Sequence, residues 1–227
     1  MSKLQSSTFE FINQLKENNN REWFTENKKK YQEEHEIMIG FAEEVLSKMK
    51  EFDEIETASG KRSLQRIYRD TRFSKDKTPY KQYWGGGLKR ATKQLRGGYY
   101  FHIEEGNSFV GGGFWGPNAD DLKLIRQQIA VDEESLRSII TSKSFKSVFG
   151  ELLGEQLKTA PKGFPKDHSA IDLLRYKQFL IKHDFTDEEV LADNFPEKVV
   201  ETFKEMRPFF DLMSNFLTTD LNGESII

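Results

Sequence analysis

The residues best suited to chemistry lie in one cationic stretch of the chain, Arg66–Lys81. Arg66, Arg69 and Arg72 carry planar guanidinium groups, which suit two-point recognition of a carboxylate or a phosphate. Asp70 lies among them, and we expect the neighbouring cations to lower its pKa. As a candidate catalytic residue, Asp70 would therefore orient an arginine or bind a metal rather than act as a general acid. The structural alternative is that these arginines and Asp70 form ion pairs that fix the local backbone.

Three lysines lie further along the same stretch. Lys75, Lys77 and Lys81 belong to a segment whose composition predicts a loop closing on Pro79. Their ammonium groups could hold phosphate as point charges, and Lys75 and Lys77 are candidate ligand-binding residues. The alternative is a solvated turn in which Asp76 neutralises its neighbours. The glycine-rich pattern of a Walker A loop does not occur in the chain.

Positive charge is concentrated around these residues. Residues 61–96 contain twelve Lys or Arg and only two acids, Asp70 and Asp76, whereas the whole chain has a formal net charge of −3. An acidic protein that gathers its cations in one segment is expected to use them to hold something anionic. The acidic total argues against broad nonspecific binding of nucleic acid.

The elements that must position these residues are predicted to form a sheet. Segments 63–73, 98–104 and 109–115 are alternating, aromatic or β-branched and are bounded by glycine, which is typical of strands. Residues 105–108 predict a short hairpin loop between the last two strands. The glycine-rich segment 85–98 is predicted to be a basic loop or short helix.

Alternation along a strand assigns side chains to two faces. In the first predicted strand one face carries Arg66, Tyr68, Asp70 and Arg72, and the other carries Ile67, Arg69, Thr71 and Phe73. Arg69 could therefore make an internal ion pair instead of binding a ligand. In the second strand Tyr99, Phe101 and Ile103 are predicted on the core side, opposite Tyr100, His102 and Glu104. If the two polar faces coincide, they form a binding or catalytic surface on which Tyr68 and Tyr100 contact a ligand and His102 transfers a proton.

Two glycine triplets lie near tryptophans. Gly85-Gly86-Gly87 comes directly after Trp84, and Gly111-Gly112-Gly113 comes shortly before Trp115. Glycines within a strand usually indicate a bulge or the close approach of another backbone or a ligand. Trp115 is a candidate stacking residue for a ligand, and the alternative is that it belongs to the core.

Helical patterns flank the predicted sheet on both sides in the sequence. The first two helices are predicted from Ser7 or Thr8, as the N-cap, to Glu17, and from Arg21 to Lys50. After the sheet, helices are predicted over 118–130, 132–140, 142–153, 169–177, 186–192 and 195–217, with N-caps at Asn118, Asp132, Ser142, Ser169 and Thr186. This segregation predicts an α+β fold, with a mostly antiparallel sheet over about 60–116.

Composition bounds the class of protein. No linker divides the 227 residues, so we predict a single domain, 1–227, with a core of about 8–217. The absence of cysteine excludes disulfides and thiolate chemistry. The N-terminus has no apolar signal region, and no apolar run approaches the ~20 residues that cross a bilayer. We therefore expect a soluble cytoplasmic protein without a membrane partner. No pattern names a cofactor, and no histidine cluster has metal-ligand spacing.

Several motifs also resemble a known family. They are Asn18-Asn19-Asn20-Arg21-Glu22-Trp23-Phe24, the Arg66–Lys81 stretch, Gly111-Gly112-Gly113-Phe114-Trp115 and Gly163-Phe164-Pro165-Lys166-Asp167-His168. In this order they are similar to the bacterial and fungal family called domain of unknown function 2461. The resemblance extends from about Thr8 to Leu217 and implies a single domain. It implies no activity, substrate, cofactor or catalytic residue.

Three functions remain open from the sequence. The leading hypothesis is an uncharacterised protein that binds a small anionic or phosphorylated ligand on an Arg- and Lys-rich sheet face. The second is a hydrolase or transferase that acts on a phosphate-containing substrate through Asp70 and His102. The third is a nucleic-acid or protein interaction module, for which the basic segment 85–98 would be essential.

Overall fold

The α+β fold is confirmed by a computed structural model that describes residues 3–227. The first two residues of the predicted domain lie outside the described residues. The helices are α1 (Ser6–Glu17), α2 (Arg21–Glu26), α3 (Lys28–Met49), α4 (Gly60–Ser63), α5 (Ala119–Val131), α6 (Glu133–Ile140), α7 (Lys143–Phe149), α8 (Ile171–Leu174), α9 (Asp187–Val190), α10 (Phe195–Glu205) and α11 (Arg207–Thr218). The strands are β1 (Trp84–Lys89), β2 (Gly98–Ile103), β3 (Ser108–Phe114) and β4 (Phe179–Phe185).

The four strands form one antiparallel sheet in the order β1-β2-β3-β4. The predicted hairpin between β2 and β3 is confirmed: Asn107 N–H donates to the carbonyl of Glu104 at 3.0 Å, and Gly106 has φ +70°. Tyr99, Phe101 and Ile103 are buried, as alternation predicted. The sheet extends beyond the predicted range, because β4 comes from a segment to which the sequence assigned no element.

The strand predicted over 63–73 is wrong. Its first residue ends α4, and residues 64–73 form irregular chain with isolated antiparallel bridges from Leu64 to Gly86 and from Tyr68 to Tyr80. The edge strand is instead β1, which begins at Trp84 and continues into the segment 85–98 that was predicted as a loop or short helix. The glycines of β1 suit that position because Phe101 of β2 lies where a side chain on Gly86 would project: a Cβ there would be 2.2 Å from the ring.

Two long predicted helices are each divided. The helix predicted over 21–50 breaks at Asn27, which caps the end of α2 and precedes α3. The helix predicted over 195–217 breaks at Met206, and Pro208 lies in the first turn of α11, where its missing N–H costs no helical hydrogen bond.

Most predicted N-caps are confirmed. The side chains of Asn118, Asp132, Ser142 and Thr186 each accept a hydrogen bond from a backbone N–H in the first turn of the next helix. The N-caps predicted for α1, at Ser7 or Thr8, and for α8, at Ser169, are wrong. Gln5 precedes α1 without a side-chain cap, and Ala170 precedes α8.

The described chain divides into two compact units. Unit 1 comprises residues 3–88, Tyr100–Val110 and Asp184–Glu201, and unit 2 comprises Lys89–Tyr99, Gly111–His183 and Thr202–Ile227. All four strands contribute residues to both units. The single domain over 1–227 stays a prediction.

Unit 1 has a core of aromatic rings. The ring of Phe41 stacks on Phe195 and meets Phe101 edge-on, in both cases with 5.4 Å between ring centroids. All three side chains are at most 1% exposed. The burial of these rings is the main contribution to the stability of unit 1, since each buried aromatic ring removes about 150–250 Å² from water.

Unit 2 has a separate aromatic core. Tyr99 contacts Phe203 and Phe210, with ring centroids 4.9 and 5.1 Å apart. Gly113 lets β3 approach the backbone of β4, because a Cβ at this residue would lie 2.2 Å from the carbonyl oxygen of Phe179. In the second glycine triplet, Gly113 therefore serves close backbone packing, which is one of the three roles that the sequence offered.

Candidate functional site

A cleft of about 490 Å³ opens in unit 1, and we call it the 69–83 cleft. Its lining residues are Arg69, Asp70, Asp76, Tyr80, Lys81, Gln82, Tyr83 and Glu104. All but one come from the cationic stretch and the two residues directly after it. Glu104 comes from the hairpin end of β2. The cleft therefore joins two parts of the chain whose sequence predicted a binding or catalytic surface.

The wall of the cleft is built from two short chain segments that pair antiparallel. Arg69 N–H donates to the carbonyl of Pro79 at 2.9 Å, and Lys81 N–H donates to the carbonyl of Ile67 at 2.8 Å. Asn19, between α1 and α2, anchors this pair, since its side chain bonds both the N–H and the carbonyl of Tyr80, at 3.1 and 3.0 Å. Backbone hydrogen bonds rather than a full strand thus fix the position of Lys81.

The Tyr80 ring gives a second anchor. It stacks on Phe24 of α2 with 4.1 Å between ring centroids. The side chain of Tyr80 is buried, and that burial is the main reason that its pKa is raised. The asparagine and aromatic residues before and within α2 therefore hold the cleft wall, a role that their sequence alone did not predict.

An ion pair organises the loop between the two paired segments. Asp76 accepts hydrogen bonds from the backbone N–H and hydroxyl of Thr78, both at 2.9 Å, and from the guanidinium of Arg69. These bonds, led by that from the Thr78 backbone, lower the pKa of Asp76 from 3.8 to about 2. Arg69 also bonds the side chain of Thr78. Arg69 thus makes the internal ion pair that the sequence offered as its alternative role.

A second ion pair occupies Asp70. Arg72 donates from Nε to Oδ1 at 3.0 Å and from a terminal nitrogen to Oδ2 at 2.7 Å, which is bidentate geometry. These hydrogen bonds lower the pKa of Asp70. Arg69 and Asp70 both line the cleft, so the alternation that put them on opposite faces fails in this irregular segment.

Lys81 differs from these paired cations. Its Nζ donates to the neutral side-chain oxygen of Gln65 at 2.7 Å. Among residues 3–227, no carboxylate oxygen lies within 4.0 Å of this nitrogen. Burial, together with the smaller repulsion from Arg66, lowers the pKa of the Lys81 ammonium. Arg66 is itself exposed, and within the same residues it has no carboxylate at that distance either.

A hydrogen-bonded chain of three side chains runs along β2 to the cleft. The Tyr100 hydroxyl lies 3.2 Å from Nδ1 of His102, and Nε2 of His102 lies 2.9 Å from a carboxylate oxygen of Glu104. Burial, and then the neighbouring Tyr83, raise the pKa of Tyr100, so its hydroxyl keeps its proton. The tautomer that satisfies both contacts accepts from Tyr100 and donates from Nε2 to Glu104.

His102 is enclosed by rings. Tyr83 stacks on one side of the imidazole and Phe109 on the other, with centroids 4.2 and 4.7 Å away. The residue is only 7% exposed. A ligand in the cleft would therefore meet Glu104 and Tyr83 directly, and would reach the imidazole only through them.

Glu104 ends the chain of side chains as an ionised carboxylate. Burial opposes its ionisation, but hydrogen bonds from Lys16, His102 and Asn107 outweigh that cost and lower its pKa from 4.5 to about 2. Lys16 Nζ lies 2.7 Å from Oε1, and Asn107 donates at 2.8 Å. Lys16 could not be identified from the sequence as a partner of Glu104, because the two residues are 88 positions apart and Lys16 lies on α1.

Gly85 makes room for this chain of side chains. A Cβ on Gly85 would lie 2.9 Å from the Tyr100 hydroxyl and 3.0 Å from the Tyr83 ring. The first glycine triplet thus admits aromatic side chains on both faces of β1, Tyr100 at Gly85 and Phe101 at Gly86.

The other candidate ligand-binding residues have different surroundings. Lys77 donates to the carbonyl of Thr71 at 2.8 Å, which ties it to the loop, and Lys75 is exposed. Tyr68 is 59% exposed. Trp115 belongs to unit 2 and is 74% exposed, so the alternative that placed it in the core is wrong.

Two features are absent from the part of the chain that the structure describes. Within residues 3–227, no three His, Asp or Glu side chains come together as a group that could hold a metal ion. Over the same described part of the chain, no helix has the length and apolar character needed to cross a bilayer.

The fold is thus α+β, and the lining of the cleft includes Lys81, two tyrosines and Glu104, whose carboxylate is hydrogen-bonded to the buried His102. A scan against protein families matches residues 7–212 to the family described as conserved hypothetical protein (DUF2461). The chain belongs to this family, as its motifs indicated. Searches of curated proteins and of solved structures gave no significant match.

Proposed function

We propose that this DUF2461 protein binds a small anionic ligand, bearing phosphate or carboxylate, in the 69–83 cleft. The observation that carries the proposal is the position of Lys81. It lies on the cleft wall next to Arg66 and, among the described residues, without a carboxylate within 4.0 Å. Two adjacent cations without an acidic partner repel each other, and an anion between them would relieve that repulsion.

The carboxylates that line the cleft do not cancel the attraction of Lys81 and Arg66 for an anion. Each one already has a cationic partner: Arg72 for Asp70, Arg69 for Asp76, and Lys16 for Glu104. The proposed site accordingly uses fewer cationic residues than the site expected from the sequence. Lys81 and Arg66 supply the charge, and Tyr83 and Gln82 supply neighbouring hydrogen-bonding groups on the wall.

Thermal unfolding with a panel of ligands tests the proposal. The panel contains phosphate, sugar phosphates, nucleotides, di- and tricarboxylates and short oligonucleotides, each at low and moderate salt. A ligand that binds only the folded state, at 100 times its Kd, should stabilise the protein by about 2.7 kcal/mol. We expect this shift in wild type and in Lys75→Met, and its loss in Lys81→Met.

Lys75→Met is the matched control, because it removes one exposed lysine from the same segment. Equal losses in the two variants would show general charge attraction and overturn the proposed site. A response to oligonucleotides alone, steeply weakened by salt, would favour the nucleic-acid module instead.

A second candidate function is a hydrolase or transferase that acts on a phosphate-containing substrate through Asp70 and His102. The observation that favours it is the chain from Tyr100 through His102 to Glu104, a geometry that can pass a proton. With a phosphate ester that binds in the first experiment, we expect a pH–rate profile whose inflection disappears in His102→Ala. Binding without turnover at any pH would reject this candidate and leave the binding proposal intact.

A further inference from the structure

We infer that Lys81 is a nucleophilic amine whose Nζ forms an imine with an anionic aldehyde or keto acid in the 69–83 cleft. This inference rests on the proposed function, since the anionic group of the ligand is what the cleft is proposed to hold. It adds the class of ligand and a covalent step.

The first argument is the environment of the Lys81 nitrogen. The side chain is half-buried on the cleft wall, and its hydrogen-bond acceptor is the neutral Gln65. The charged and titratable groups that line the same cleft are Arg69, Asp70, Asp76, Tyr80, Tyr83 and Glu104. The three carboxylates in this set are held by other cations, so none of them stabilises the Lys81 ammonium at short range.

The second argument is the neighbouring cation. Burial disfavours a positive charge on Lys81, and Arg66 adds a smaller repulsion, so the pKa of this lysine is lowered. Desolvation and a nearby cation are the two means by which proteins make a lysine amine reactive. Arg66 serves a second purpose in this arrangement, because it can hold the carboxylate or phosphate of the incoming carbonyl compound.

A second cleft in unit 1 contains a lysine in the opposite situation. Lys48 lines a cleft of about 500 Å³ with three glutamates, Glu43, Glu44 and Glu51. Its Nζ lies 2.8 Å from Glu197, and this hydrogen bond raises its pKa. Lys48 is therefore a matched control: a lysine at a cleft of similar size that acidic neighbours keep charged.

The covalent step balances without an oxidant or a reductant. The lone pair of the neutral Lys81 amine attacks the carbonyl carbon, and the C=O π electrons move to oxygen, which takes up a proton. A proton then passes from the nitrogen to this hydroxyl, which leaves as water while nitrogen and carbon form a double bond, so that the net uptake is one proton from solvent. The products are a protonated imine and one water molecule.

Reductive trapping tests this step on the full chain. The protein is incubated with glyoxylate and cyanoborohydride, and peptide mass spectrometry locates the carboxymethyl groups that result. We expect Lys81 to be modified severalfold faster than Lys48 and Lys75, at a rate that saturates with glyoxylate. Lys81→Arg keeps the charge and should abolish the fast modification, whereas Lys48→Arg should leave it unchanged.

The pH dependence provides a second readout. Removing the neighbouring cation in Arg66→Met should move the midpoint of Lys81 labelling to higher pH, because the ammonium is no longer repelled. Labelling of Lys81 no faster than that of Lys48 and Lys75 would overturn the inference, and so would a midpoint that Arg66→Met leaves unchanged.

The failure of this inference is distinguishable from the failure of the proposed function. If a non-carbonyl anion stabilises wild type but not Lys81→Met, while glyoxylate labels lysines evenly, the cleft binds anions without forming an imine. If neither effect occurs, both are wrong. An adduct at Lys81 that phosphate or citrate slows by competition would support both together.

Discussion

Arg90 and Lys81 belong to the same cationic segment of the sequence, but their surroundings in the structure are opposite. Arg90, in unit 2, has a side chain that is 0% exposed and lies 2.6 Å from Asp211. Its guanidinium also packs over the Phe210 ring, 5.7 Å from the centroid. Lys81, in unit 1, is half-buried and bonds a neutral amide. The comparison shows that a local excess of cations contains both a buried arginine in an ion pair and a half-buried lysine whose side chain bonds a neutral amide.

The largest expected effect comes from removing the structural cation. Arg90→Met should lower the free energy of unfolding by about 3 kcal/mol, because it removes a buried guanidinium and its ion pair with Asp211, which keeps Arg207 as a partner at 3.3 Å. The expected loss is at the lower end for such pairs since Asp211 is 48% exposed and can regain water. Urea denaturation measures the change.

Lys93→Met is the control for that experiment, since Lys93 is an exposed cation of the same loop. Its effect should stay within about 0.5 kcal/mol. If Arg90→Met changed stability as little as Lys93→Met, the distinction between buried, ion-paired cations and exposed cations would fail.

A second experiment tests whether the part of β1 that lies in unit 1 is as tightly packed as the surroundings of Arg90. Gly86→Ala should cost about 2 kcal/mol, because the new Cβ would lie 2.2 Å from the buried ring of Phe101. The measurement is again urea denaturation. Gly116→Ala, at a position where a Cβ meets nothing within 4 Å, should be nearly neutral. Equal costs for the two variants would contradict a rigid β1.

The carboxylate of Glu104 offers a third, smaller effect. Glu104→Gln should lower stability at pH 7 by about 1 kcal/mol, since it weakens charged hydrogen bonds that are partly screened by solvent. The folded pKa of about 2 lies below the usual 4.5, so this contribution is complete above pH 4.5 and is lost as pH falls toward 2.

Stability measured between pH 7 and pH 2 tests the sign of this effect. The difference between wild type and Glu104→Gln should shrink across the lower part of this range. A difference that stayed constant with pH would show that the carboxylate charge contributes nothing and that the loss arises from altered packing.

The smallest expected effect on stability is at Lys81 itself. Lys81→Met should change the free energy of unfolding by no more than about 0.5 kcal/mol, because it breaks no ion pair and removes the repulsion from Arg66. The same variant should lose the response to an anionic ligand in thermal unfolding. A destabilisation as large as that of Arg90→Met would mean that Lys81 is also a structural cation.

Much of the fold could be predicted from the sequence, because it depends on interactions between residues that are close along the chain. Side-chain caps such as Asn118 and Ser142 depend only on a hydrogen bond within the first helical turn. Alternation identified the buried face of β2 at Tyr99, Phe101 and Ile103, since an apolar face must be covered.

Other parts of the fold were not readable because the local signal was ambiguous. The segment around Tyr68 alternates like a strand, yet it forms only isolated bridges. The glycine content of β1 is typical of a loop. Only the structure shows that Gly86 makes room for the ring of Phe101. Position in a sheet depends on partners distant in sequence, which propensity does not encode.

The candidate site divides in the same way. The sequence by itself determined that Arg66–Lys81 concentrates cations and that His102 and Glu104 share one side of a strand, because charge and alternation are local properties. It offered an ion pair between Asp70 and an arginine only as an alternative. Tertiary structure alone decided that Lys16 holds Glu104 and that, within residues 3–227, no acid reaches Lys81. The physical reason is that an ion pair forms between whichever charges folding brings within a few ångströms, whatever their separation along the chain.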